Sequence, residues 1–162
     1  MNELDDLKEE LFCTKYELDA LTQILLNGKA ERWVPSFTGI TKDEDHIRRY
    51  EIALRYVKGL VVLDIACGAG KGAHLLAKNG LAKTVIGGDV DADSIRYARH
   101  RFADANVSFR RIDGMDFSLE QDLDLVVSFE TIEHIKLVQV FLRNVWNTLK
   151  KEGKFIVSTP IS

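Results

Sequence analysis

The chain is poor in the residues that staple or interrupt a fold: among 162 residues there are two cysteines, Cys13 and Cys67, and two prolines. Two cysteines far apart in unlike contexts make a disulfide framework improbable and point to a reducing cytoplasm. No uncharged run approaches the length that crosses a bilayer, and the acidic opening MNELDDLKEE has no apolar signal core. The expectation is a soluble, cytoplasmic protein with no membrane span. An excess of positive charge is missing too. With a formal net charge of -3, the chain lacks the Lys and Arg surplus that general nucleic-acid binding needs, although a local basic patch stays open. What remains is an ordinary soluble composition, 46% hydrophobic and 29% charged, with room for one core and a helical appendage.

That appendage has its own period. Leu4, Leu7, Leu11, Thr14, Leu18, Leu21 and Leu25 follow a 3-4-3-4-3-4 spacing that closes at Asn27-Gly28, about three heptads of an a/d seam. Two readings stand side by side: an amphipathic helix packed through this seam on its own domain, or a coiled coil joining two copies or a partner chain. Residues 29–45 read as a linker containing Trp33 and Phe37, which either cover an acceptor pocket or pin the linker. TKDE, from Thr41, reads as a capping box with Glu44 at the third helical position. A helical stripe follows through Ile47, Tyr50 or Glu51, Leu54 and Val57 to Gly59.

From there strands and helices alternate. The spacing predicts strands over 60–65, 84–88, 107–111, 123–129 and 154–158. It predicts helices over 71–79, 93–102 and 137–150, with a short piece near Ser118. Near-continuous apolar strands between helices imply an α/β, Rossmann-like three-layer sandwich around a parallel sheet of order 3-2-1-4-5, spanning 46–162.

Ligands of such sheets bind outside the carboxyl ends of the strands. There the acids recur: Asp64, Asp89, Asp113, Glu130 and Glu133. CGAGKG, after the first strand, lets backbone approach a ligand and opens a helix whose N-terminus is positive. Asp89, 21 residues past Gly68, suits a ribose diol, so a dinucleotide is a first candidate. Yet the third glycine of a dinucleotide fingerprint is Ala73, and a Walker A loop would need glycine where Ile65 stands. A like-charge contact near 4 Å costs roughly 4 kcal/mol at an effective dielectric of about 20. A ring of acids therefore selects a ligand that is cationic overall and carries a ribose and a base. S-adenosylmethionine meets that description. Asp64 would face its ammonium, Asp89 its ribose hydroxyls and Asp113 its adenine amino group.

VLDIACGAG, VIGGDVD, RIDGMDF and DLVVSFETIEHI, followed by FLRNVWNTLKKEGKFIVSTP, resemble in order the motifs of class I S-adenosylmethionine-dependent methyltransferases, over about residues 46–160. ERWVP with HIRRY resembles a subgroup associated with glycan or cell-surface biosynthesis. The resemblance implies S-adenosylmethionine as cofactor, S-adenosylhomocysteine as product, and transfer of a methyl to a small-molecule or glycan acceptor, O- or N-methylation being left open. By position it implies cofactor contacts at Asp64, Cys67, Gly68, Gly70, Asp89, Val90, Asp113, Gly114, Met115 and Phe129, with Ala66 in the same loop. Met115 would offer its amide to adenine and Val90 would pack on the ring. Tyr50 would close over the methionine end, and Glu130 would stand beside the amino group. The family normally continues past the fifth strand with a two-stranded hairpin. Without it the fifth strand is an edge, a second place besides the leucine seam where two copies could join.

Methyl transfer asks for alignment and exclusion of water, and for a base only with some acceptors. Glu130, Glu133 and His134 form ExxEH. His134 is the candidate base, and the three together are a candidate site for a divalent metal. His74 and His100 read as surface or packing residues, Cys67 as a small neighbour of the cofactor, and RRY and RHRF as solvated helix faces. The alternatives to an active enzyme are a non-catalytic cofactor-binding or assembly module and, more distantly, an NAD-dependent oxidoreductase.

Overall fold

The computed structural model describes residues 2–27, 43–119 and 122–160. Most of the expected linker, with Trp33, Phe37 and the capping-box Thr41, lies outside the described residues, and its last positions, 43–45, already belong to a helix that starts at Asp43.

Five strands, β1 (Val61–Ile65), β2 (Thr84–Asp89), β3 (Val107–Arg111), β4 (Leu123–Phe129) and β5 (Leu149–Ser158), pair in parallel in the order β3-β2-β1-β4-β5. The expected order is the observed one. The helices are α1 (Glu3–Asn27), α2 (Asp43–Leu54), α3 (Lys71–Lys78), α4 (Ala92–Phe102) and α5 (Val138–Thr148), with a 3-10 turn at Ile132–His134.

Alternation along the strands divides the core in two. Val62, Val85, Phe109, Leu125 and Val127 pack with Ala53 and Val57, with Ala73 and Leu76 of α3, and with Ile95 and Ala98 of α4. Leu63, Ile65, Ile86 and Val126 pack on the other side with Phe141 and Val145 of α5. Each large side chain buried this way is worth roughly 1.5–3 kcal/mol. The central strands are buried on both faces, which is why they read as unbroken apolar runs.

Two local expectations are corrected. Residues 117–119 are irregular rather than a short helix around Ser118. The fifth strand begins at Leu149, not 154. Leu149 pairs with Leu123, and a register shift then separates that pair from the main ladder starting at Leu125↔Lys154. The polar KKEG stretch is absorbed in this irregularity, with Lys150 reaching Asp124 at 2.6 Å. Helix α5 accordingly stops at Thr148.

The larger correction concerns α1. The helix forms as expected, but it does not dock through its leucines. Cys13, Tyr16 and Ala20 are buried against Tyr97 and Ala69, with Phe12 and Phe102 alongside. Tyr16 stacks on Tyr97 with ring centroids 4.6 Å apart, and its hydroxyl lies 2.8 Å from Ser94 Oγ. Around this contact Glu9 accepts two hydrogen bonds from Arg96, and Glu10 accepts two from Arg101 and lies 3.1 Å from His100 Nε2. Glu17 accepts from Tyr97 and Arg101. The basic RHRF face is therefore neither free in solvent nor a nucleic-acid patch: the acids of α1 claim it. The ion pairs are exposed and screened by salt, so they orient the helix while the aromatic contact supplies most of the attraction.

Candidate active site

Three strand ends build the site. At the end of β1 the chain turns through Ala66 (φ 64°), Gly68 (φ 54°) and Gly70 (φ 87°) into α3. A side chain at Gly70 would collide with Ala98 Cβ at 2.6 Å and the Phe109 ring at 2.7 Å, so both its φ and its surroundings require glycine. Gly68 has open space instead, with nothing within 4 Å of where a Cβ would lie. The loop is thus clamped from beneath at Gly70 and open at Gly68.

Asp89, at the end of β2, holds this loop. Its Oδ2 accepts from the Gly68 N–H at 2.8 Å and its Oδ1 from the Asp91 N–H at 2.9 Å. Each carboxylate oxygen keeps a lone pair for a further donor. Past β3, Asp113 Oδ1 accepts from the Met115 N–H at 2.8 Å. The amide expected to meet adenine is therefore engaged within its own turn.

A cleft of about 150 Å³ opens between these ends, walled by Ile65, Ile112, Met115, Ile135 and Phe141 and rimmed by Asp89, Asp113 and Thr131. Ala66, Val90 and Gly114 also line it. This is less than the roughly 300–1,000 Å³ of a typical small-molecule site and accounts for one end of an extended ligand. A wider groove of about 560 Å³ lies between α2 and β5, lined by Ile52, Tyr56, Phe155, Ile156 and Val157. None of the strand-end acids lines it.

Of the expected site residues, Ala66, Asp89, Val90, Asp113, Gly114 and Met115 come together on this cleft. Ile65, Ile112, Thr131, Ile135 and Phe141 were missed. Phe141 reaches the cleft from α5, whereas Thr131 and Ile135 reach it from the connection between β4 and α5, on either side of the 3-10 turn.

Asp64 lies deeper, 1% exposed. Tyr50 donates its hydroxyl to Asp64 Oδ2 at 3.0 Å, while Oδ1 is buried and meets no donor among the described residues. Burial pushes its carboxyl up to about 7; the Tyr50 hydrogen bond opposes this and nearby Asp89 adds to it. Tyr50 is not a lid. Its ring is buried edge-on to Phe129, at 4.9 Å between centroids, and rests where a Gly72 side chain would stand. Cys67 is buried, and that burial, followed by Asp64, holds its thiol well above the ordinary range, so it is no nucleophile.

ExxEH does not assemble. Glu130 (φ 51°) gives its carboxylate to Arg49, at 3.1 Å, and accepts from the Ser158 hydroxyl at 2.8 Å. Arg49, read as part of a solvated face, in fact ties α2 to the end of β4. Glu133 and His134 sit on the 3-10 turn 4.0 Å apart, with the His134 side chain 80% exposed. Among the described residues no three His, Cys, Asp or Glu side chains are grouped to hold a metal ion. His74 packs on Phe102, centroids 5.4 Å apart. No described helix is long and apolar enough to cross a membrane.

The arrangement fits S-adenosylmethionine on three counts: a carboxylate oxygen buried without a donor, a glycine loop open at Gly68, and acids at the rim of an apolar cleft. Comparison with known proteins agrees. Residues 57–161 match the family described as Methyltransferase domain. Over 134 residues the chain is 30% identical to a "Probable S-adenosylmethionine-dependent methyltransferase" of Mycolicibacterium smegmatis, covering 80% of this chain and 50% of that protein. It is 34% identical to a ubiquinone biosynthesis O-methyltransferase of Rickettsia akari, over 65% of this chain and 42% of the relative. The structure of Haemonchus contortus phosphoethanolamine N-methyltransferase 2 in complex with S-adenosyl-L-methionine superposes with a TM-score of 0.63 at 27% identity, over 70% of this chain and 28% of that one. The chain spans half or less of the length of these relatives. It belongs to the methyltransferase-domain family.

Proposed function

We propose that this chain binds S-adenosylmethionine at the carboxyl ends of β1, β2 and β3 and directs its methyl to a small-molecule or glycan acceptor. The observation that carries the reading is the set of three acids at successive strand ends: Asp89 and Asp113 rim the apolar cleft, and Asp64 is buried just before the glycine loop. Asp89 accepts from the ribose diol through the lone pairs left by its two backbone bonds. Asp113 accepts from the adenine amino group, and Ile112, Met115 and Phe141 wall the base. Asp64 Oδ1 gains in the ammonium side of the ligand the donor it lacks. The cofactor, when bound, supplies an electrophilic methyl on a sulfonium. The residues of this chain contribute alignment and exclusion of water, the two demands of an in-line displacement.

Glu130, bound to Arg49 and Ser158, positions the end of β4 and is held away from base chemistry. His134, exposed and next in sequence to cleft-lining segments, is the group offered for proton removal when the acceptor is a hydroxyl or a protonated amine. The chain is similar both to a protein named as an O-methyltransferase and to one named as an N-methyltransferase, so the acceptor is sought among both chemistries.

The test is a radiolabelled methyl-acceptor screen across phenolic, amine and sugar acceptors, run with the wild type and Asp89→Ala. Label transferred by the wild type and reduced at least tenfold in the variant is expected. Transfer unaffected by Asp89→Ala would place the cofactor elsewhere.

A further inference from the structure

Most leucines of α1 are left uncovered, Leu21 alone being half-buried. Leu4, Leu7, Leu11, Leu18 and Leu25 are 58–72% exposed. In the heptad frame they set, Leu4, Leu11, Leu18 and Leu25 occupy a, and Leu7, Thr14 and Leu21 occupy d. The docking residues fall elsewhere: Phe12 at b, Cys13 and Ala20 at c, Glu9 and Tyr16 at f. The helix is held to α4 by b, c and f, with Glu10 and Glu17 at g reaching Arg101 and Tyr97 from the flank, so its a/d seam points away from α4. Apolar residues spaced for an interface and turned outward call for a partner surface.

The flanking charges identify that partner. The g positions are Glu3, Glu10, Glu17 and Ile24, and the e positions are Lys8, Lys15 and Thr22. In a parallel pair, g of one helix meets e of the next heptad on the other. Two copies of this helix would then oppose Glu3 to Lys8 and Glu10 to Lys15, on both sides of the seam. An antiparallel pair would set glutamate against glutamate and lysine against lysine. We propose that the chain forms a homodimer through α1, as a parallel, in-register, two-stranded coiled coil.

Three further observations support this occupant. Glu10 is 52% exposed at the side chain although it already binds Arg101, so it keeps a carboxylate edge for a lysine. Thr14, the polar interruption of the seam, donates its hydroxyl to the Glu10 carbonyl at 2.9 Å and enters an interface without an unsatisfied donor. Three heptads alone are marginal because the helix must first be nucleated. Here the Tyr16–Tyr97 contact already holds α1 helical, and association need not supply that cost. Each α1 would then carry the seam on one face and pack on Ala69 of the glycine loop and Tyr97 with the other.

The test is mass by light scattering and sedimentation of the full chain at high micromolar concentration, for the wild type and for Leu11→Glu/Leu18→Glu. The expected result is twice the mass of one chain for the wild type, and a single-chain mass for the variant with an unchanged far-ultraviolet circular dichroism spectrum. A second variant, Leu4→Cys, reports orientation. Under oxidised glutathione a parallel pair brings the two introduced thiols together and gives a covalent dimer, since Cys13 and Cys67 are buried. A monomeric wild type, a dimer that survives the double substitution, a larger oligomer, or a dimer that Leu4→Cys fails to cross-link would each overturn the proposal. None of these outcomes depends on methyl transfer.

Discussion

Asp64 is where burial and charge conflict most sharply. A carboxyl at about 7 rather than the ordinary 3.8 means that the native state holds this proton more tightly than the unfolded chain. Ionised Asp64 costs nothing below about pH 4, a growing amount between pH 4 and 7, and its full penalty above that. Three pKa units correspond to on the order of 4 kcal/mol. Asp64→Asn is therefore expected to gain stability relative to the wild type as pH rises from 5 to 8 in urea titrations. Equal pH dependence in both proteins would show that the carboxylate is already solvated or paired. This residue was legible in the sequence as an acid at a strand end. Its partner was legible only in part: Tyr50 was expected near the cofactor, but its role as a buried prop depends on the absence of a side chain at Gly72, which no spacing rule reveals. Arg49 was misread for a similar reason, because Glu130 stands 81 residues away in sequence.

At the scale of elements, the loop between β1 and α3 explains why motif and mechanics coincide. Gly70 sits at φ 87° with Phe109 and Ala98 immediately beneath it, so the glycine pattern is first a packing requirement and then a binding feature. Gly70→Ala is expected to lower unfolding stability by roughly 1–3 kcal/mol and to weaken cofactor binding with it. A variant as stable as the wild type in chemical denaturation would mean that the loop relaxes freely. The strands and α3 through α5 were legible because burial on both faces of a parallel sheet writes itself as apolar runs between helical stripes. The start of β5 was not, since its first pairing at Leu149 and the irregularity after it are set by Leu123 across the sheet rather than by the local KKEGK. In α1 the strongest signal, seven positions in 3-4 spacing, obscured the weaker Cys13, Tyr16 and Ala20 on the opposite side. Both faces carry information, and among the described residues the weaker one makes the packing contacts.

For the whole molecule, one β-α alternation gathers acids scattered from position 64 to 113 at a single end of the sheet, where α5 contributes Phe141 and the turn before it Ile135 to the cleft. The net charge of -3 is thus not evenly spread in its consequences. On α1 the acids grip α4, and at the strand ends they select a ligand. That selection is the central claim, and calorimetric titration of the full chain with S-adenosylhomocysteine and, separately, with NAD tests it most directly. The account predicts saturable heat with S-adenosylhomocysteine and none with the dinucleotide, whose two phosphates the acids repel. Folded protein that gives no heat with S-adenosylhomocysteine, or that binds NAD in its place, would contradict it.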